Sequence, residues 1–144
     1  MGPISLLLNI AWLILGGFWM GIAWLFAAAL MFVSIIGIPF CFAALNMARF
    51  AFMPFGQEAV SSDWLNRRPD LGNSPVGTLG NLIWLVLAGW WLALGHLVHA
   101  AVLAVTIIGL PFAWAHFKLA SLAIWPIGRE VVSSESLIWR RRSF

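Results

Sequence analysis

Apolar residues fill two long stretches of the chain. No formally charged residue lies between Met1 and Arg49, and none between Val76 and Lys118. Runs of this length go beyond a soluble core and match membrane-embedded helices. The same short motif stands inside each run: Ile35-Ile36-Gly37-Ile38-Pro39-Phe40 and Ile107-Ile108-Gly109-Leu110-Pro111-Phe112. Pro39 and Pro111 each remove a backbone donor and crowd the carbonyl four residues back. Gly37 and Gly109 lower the cost of bending there.

The pattern predicts an all-α integral membrane protein of about four spans, each about 20 residues long. They fall near residues 5–25, 28–50, 77–97 and 100–123. The second helix of each pair is kinked or broken at Gly-x-Pro. Three readings of the motif stand side by side. It is a packing kink, or a discontinuous helix whose backbone ends line a solute path, or the end of a re-entrant segment followed by an interfacial helix. The best turn signal in the second half is Gly95-His96 to His99, which maps to Ala23–Ala27 in the first. The polar stretch 57–75 reads as a connecting loop.

The two halves are a duplication. Residues 9–62 lie over 81–134 without a gap: Asn9 on Asn81, Trp12 on Trp84, Gly17 on Gly89, Trp19 on Trp91, Pro54 on Pro126, Gly56 on Gly128, Glu58 on Glu130. Matches at Gly, Pro and polar positions do not arise from apolar bias alone. The chain divides into a first repeat (5–62), a polar linker (63–76), a second repeat (77–134) and a basic tail (135–144). Two spans per half give both halves one orientation, with a pseudo-axis along the membrane normal.

Composition narrows the function classes. With 62% hydrophobic and 9% charged residues and a mean hydropathy of +0.96, there is no room for a separate soluble catalytic domain. Ten Trp and no Tyr fit interfacial belts plus packing between helices. The net charge of +3 does not point to nucleic acid. Arg67, Arg68, Arg140, Arg141 and Arg142 lie in hydrophilic segments beside the membrane, as the positive-inside rule expects of cytoplasmic parts. Both termini are therefore expected in the cytoplasm, and the tail can touch anionic lipid. Cys41 has no second cysteine to pair with. The N-terminus lacks the basic region of a cleavable signal.

Candidate chemistry is sparse. There is no phosphate loop, no Cys-x-x-Cys and no nucleophile with partners, so no catalytic residue and no cofactor is expected. Arg49 and Lys118 are ionisable residues at membrane ends. They read as snorkelling anchors or as an anion or lipid contact. Gly37, Pro39, Gly109 and Pro111 are the candidate pathway residues. His96 and His99, at i and i+3, are weak candidates for a metal or proton-relay pair; interface residues are the plainer reading. His116 lies two residues before Lys118, and a pH-sensing role for it rests on no further residue. Glu58 and Glu130 follow the Pro-x-Gly stops, where capping or pairing explains them. Gly16, Gly17, Gly21, Gly89 and Gly95 offer small faces for helix contact within or between chains.

Several of these segments together resemble the bacterial inner-membrane YccF family: Asn81-Leu82-Ile83-Trp84, Gly89-Trp90-Trp91, Ile107-Ile108-Gly109-Leu110-Pro111, Phe117-Lys118 and Trp125-Pro126-Ile127-Gly128-Arg129. That family also carries two copies of a short membrane domain. The resemblance covers nearly the whole chain and is stronger in the second half. It implies an inner-membrane location and brings no catalytic motif. The first half departs from the second where Asn46 stands for Lys118, Ala44 for His116 and Trp24 for His96. A function that needs two equivalent Lys or His sites is therefore disfavoured.

Two functions follow as expectations. One is a homo-oligomeric channel or small-solute transporter for a small ion, with a basic cytoplasmic vestibule. The other is a membrane scaffold or sensor subunit that binds partner helices or lipid.

Overall fold

A computed structural model describes residues 2–66 and 71–142. The expectations for Arg67 and Arg68 lie outside the described residues. Six helices and two strands follow in order: α1 (Pro3–Val33), α2 (Ile38–Phe52), β1 (Gln57–Ser61), α3 (Ser62–Asn66), α4 (Pro75–Ala104), α5 (Leu110–Ile124), β2 (Arg129–Ser133) and α6 (Ser134–Arg142). A single 3-10 turn, Leu71–Asn73, precedes α4. The chain is predominantly helical, and α1 and α4 are each long and apolar enough to cross a bilayer. The all-α expectation gives way in one place: β1 and β2 pair as a small antiparallel ribbon.

The helix boundaries correct the sequence reading. Gly-x-Pro does not kink or break the second helix of either pair; it lies at the turn between the two helices. Gly37 and Gly109 are the N-cap positions of α2 and α5, and each proline sits in the first helical turn. There proline removes no intrahelical bond and its fixed φ favours the helix start. Each glycine is needed for close approach. A Cβ on Gly37 would lie 2.4 Å from the Met31 carbonyl oxygen, and one on Gly109 would lie 2.1 Å from that of Leu103. Conversely, Gly95 to His99 is no turn. It lies inside α4, where the His99 Nδ1–H donates to the Gly95 carbonyl at 2.8 Å.

A sharp contrast is expected from this placement. Pro111→Ala changes unfolding free energy by less than about 1 kcal/mol, because proline in the first helical turn acts mainly through the unfolded chain. Gly109→Ala costs about 1–3 kcal/mol, because its neighbour is backbone that cannot rotate away. Thermal midpoints in one detergent read both.

Within each half the same lock recurs. Trp12 Nε1–H donates to the Ala51 carbonyl at 2.8 Å, and Trp84 to that of Ala123 at 2.6 Å. Asn9 donates to the Phe55 carbonyl and accepts from its N–H, both at 3.0 Å. Asn81 does the same with Ile127, at 3.2 and 3.0 Å. These bonds tie the first turns of each long helix to the end of the shorter one. The glycines serve these locks: a Cβ on Gly17 would meet the Trp12 indole, and one on Gly89 the Ala123 carbonyl oxygen and the Trp84 indole. Both glycines end π-helical turns, Leu13–Gly17 and Leu85–Gly89. Gly16 takes φ +122°, open to glycine only.

The halves meet about a pseudo-twofold axis. In the ribbon the equivalent residues Ala59 and Val131 face each other, with Gln57 against Ser133 and Ser61 against Arg129. Trp24 and His96, equivalent by the repeat, also touch across this axis. Trp12, Trp24, Trp84, Met31, Met47 and Leu92 fill the interior. In lipid such an interior is held by close packing and hydrogen bonds rather than by water exclusion.

Candidate functional site

Two polar centres stand out, one inside the bundle and one at its charged end. The inner one starts at Trp24. Its indole N–H can only donate, and it reaches His96 Nε2 at 2.9 Å. His96 therefore accepts at Nε2 and carries its proton on Nδ1. That N–H donates to His116 Nδ1, also at 2.9 Å. His116 must then carry its proton on Nε2. Among the described residues, this is the buried side-chain nitrogen with no partner. The His99 ring stacks on His116 with centroids 5.0 Å apart, and the Trp12 ring lies tilted against His116 at 4.3 Å.

This chain of donors limits the chemistry. It begins at an indole N–H, which neither takes up nor releases a proton at ordinary pH. A relay through it would stop at Trp24. Both ring nitrogens of His96 are engaged, as is Nδ1 of His99, so His96 and His99 offer no shared pair of lone pairs to a metal. No group of three or more metal-ligating side chains occurs among the described residues. The three histidines are chiefly a polar clasp between α1, α4 and α5. His116 and Trp24 were not paired with His96 in the sequence reading. The available signal was the departure itself: repeat mates lying on the axis must face each other, so a Trp opposite a His there is a donor opposite an acceptor.

The second centre is a recess of about 260 Å³ lined by Phe50, Glu58, Ala59, Lys118, Ser121, Leu122 and Arg129. It lies where the ribbon meets α2 and α5. Lys118, Ser121 and Arg129 are exposed. Along the same face of α5 runs an apolar groove of about 450 Å³, lined by Leu97, Ala100, Ala101, Ala104, Leu110, Ala113, Trp114 and Phe117. The two adjoin along α5. Residues 110, 114, 118 and 122 form one i, i+4 row, and 113, 117 and 121 form the next. An apolar trough thus adjoins a recess that holds an ammonium, a guanidinium, a hydroxyl and the Glu58 carboxylate.

The structure sorts the remaining candidates. Arg49 is exposed on α2 but does not line this recess. Glu130 accepts from Asn66 Nδ2 at 3.0 Å, a linker contact rather than a paired carboxylate site. Gly37, Pro39, Gly109 and Pro111 shape the hairpin tips. The basic tail is helical as α6, and Arg140 donates to the Leu65 carbonyl at 2.9 Å, tying the tail to the linker.

Comparison with known proteins fits the membrane character of this architecture. The family described as YccF, inner membrane component domain, matches the chain twice, over residues 7–57 and 79–129. The proteins named inner membrane protein YccF from Escherichia coli K12 and Shigella flexneri are each 37% identical to it over 130 residues, covering 90% of this chain and 88% of the relative. No solved structure matches. The chain belongs to the inner-membrane YccF family, and it carries that family's domain twice.

Proposed function

We propose that this protein is a non-conducting inner-membrane subunit that holds an anionic phospholipid on the outer face of α5, with its phosphate in the recess and an acyl chain in the groove. The observation that carries this reading is the succession along α5 of an apolar groove and a recess bearing Lys118, Ser121 and Arg129, two cations against the one carboxylate of Glu58. A phospholipid presents the same succession of chemistries, an acyl chain followed by an anionic headgroup. Both cations are free of ion pairs among the described residues, and such cations attract anionic headgroups.

The conducting alternative finds less support. Three fully buried tryptophans fill the interior, and a channel needs a wettable lining. On the outer helix faces the exposed polar side chains of α2 and α5, Asn46, Arg49, Lys118 and Ser121, sit toward the charged end. The rest of those faces is apolar, so a pore between subunits would lack polar groups along most of its length.

Native mass spectrometry of protein from mild detergent tests the lipid reading. The wild type is expected to retain phospholipid, anionic in preference to zwitterionic. Each surface cation contributes about 1 kcal/mol to anionic lipid attraction, so Lys118→Ala/Arg129→Ala should lower retention roughly tenfold or more. Arg49→Ala, outside the recess, should leave it nearly unchanged. Equal retention by all three proteins would refute the site.

A further inference from the structure

We infer that both hairpins are re-entrant: they enter the bilayer from the charged face, turn inside the hydrocarbon and leave by the same face, exposing no loop on the other side.

The tips are the first ground. Val105, Ile107 and Ile108 are 85, 87 and 83% exposed, and Val33, Ile35 and Ile36 are 75, 75 and 68% exposed. Turns in water are built from Gly, Asn, Asp, Ser and Pro, with polar groups facing out. Here the hydroxyl of each tip is engaged by the tip's own backbone. Ser34 Oγ accepts from the Gly37 N–H and donates to the Met31 carbonyl. Thr106 Oγ1 likewise accepts from the Gly109 N–H and donates to the Leu103 carbonyl. Such internal capping is what a turn needs where water cannot pair its backbone. The occupants that fit around these tips are acyl chains.

The second ground is depth. Lys118 follows Ile108 by ten residues, which is about 15 Å at helical rise, or half of a hydrocarbon layer of about 30 Å. Lys118 is exposed and shares its recess with Arg129 and Glu58, so it marks the polar boundary whether or not a lipid sits there. Placing the tip at the far headgroups would strand this cation near the bilayer centre, a costly position. Arg49 gives a similar answer, thirteen residues after Ile36 and so about 20 Å away.

The returning limbs agree. The helices α2 and α5 have 15 residues each, about 22 Å. The helices α1 and α4 are longer, but their surplus lies at the ribbon end: Asn9 and Asn81 bond there to Phe55 and Ile127. The exposed Ile4, Leu7, Val76 and Leu79 of those first turns then rest in the near interface, as in helices that lie on a membrane. Among the described residues, the ribbon, α3 and α6 are joined on one face.

Single cysteines in a Cys41→Ser background test the inference. Ile36→Cys and Ile108→Cys change exposed tip residues, and Ser136→Cys reports the α6 face. In cells, a membrane-impermeant maleimide applied from outside should label neither tip. In proteoliposomes, a fluorophore at residue 108 should be quenched more by doxyl groups near the acyl ends than by groups near the headgroups. Labelling of either tip from outside would overturn the inference, and so would stronger quenching by the shallow groups. Neither readout depends on lipid retention, so the two proposals stand or fall separately.

Discussion

Asn81→Leu is expected to lower the unfolding free energy by about 2–5 kcal/mol, the largest single effect foreseen here. Leucine keeps the branched shape of asparagine, with greater bulk, but can neither accept nor donate. The Ile127 N–H and carbonyl would both lose their partner, in a position where Asn81 and Ile127 are buried. A buried polar group left unpaired costs about 1–3 kcal/mol, and two are orphaned by one change. The loss also frees the segment that leads from α5 into β2. Asn9→Leu makes the equivalent change in the first repeat, but Phe55 is only half-buried and water can reach its backbone. It should cost less. Thermal or denaturant midpoints of both variants in one detergent check the order; equal losses would contradict this account of the two locks.

The second large effect concerns the axis. His96→Leu should destabilise by about 2–3 kcal/mol, because it strands the Trp24 N–H and His116 Nδ1 together. Trp24→Phe removes one donor and leaves His96 Nε2 without a partner, and it should cost about 1–2 kcal/mol. The double variant should cost less than the sum, because neither end of the Trp24–His96 bond then remains to be desolvated. Interhelical hydrogen bonds in membranes average about 0.6 kcal/mol by such cycles and reach about 1.7, so the coupling should fall in that range. Strict additivity would mean that the bond does not form.

What was legible in the sequence was the duplication and the membrane class. Both rest on residues whose chemistry has few alternatives: long uncharged runs, and Gly, Pro, Asn and Trp recurring at one interval. What was not legible was where the chain turns. A hairpin turn in a polar setting announces itself with charged or amide side chains. These tips are made of Ile, Val and a single Ser or Thr, so Gly-x-Pro looked like an interruption within a helix. Gly95 to His99 looked like a turn only because it was the most polar point of its run. Its polarity faces inward, to His116 and the Gly95 carbonyl. The glycines at 17 and 89 were read as contact faces between helices; Gly89 does meet the Ala123 carbonyl of α5, and both also make room for the indole five residues earlier. The ribbon escaped notice because each strand has five residues and is held only by its repeat mate, a pairing no local pattern reveals. Of the candidate site, Lys118 was visible as an exposed cation near a membrane end. Its partner Arg129 lies eleven positions on, beyond a helix end and a tight turn, and only the fold brings them together.

A filled bundle with its polar recess at the edge is expected to conduct nothing. Ion flux through the purified protein in liposomes, across a panel of small cations and anions, tests that most directly. The predicted result is leakage no greater than that of protein-free liposomes at every protein-to-lipid ratio. Selective flux that rises with protein content and changes with Lys118→Ala would contradict it and make the charged recess a vestibule.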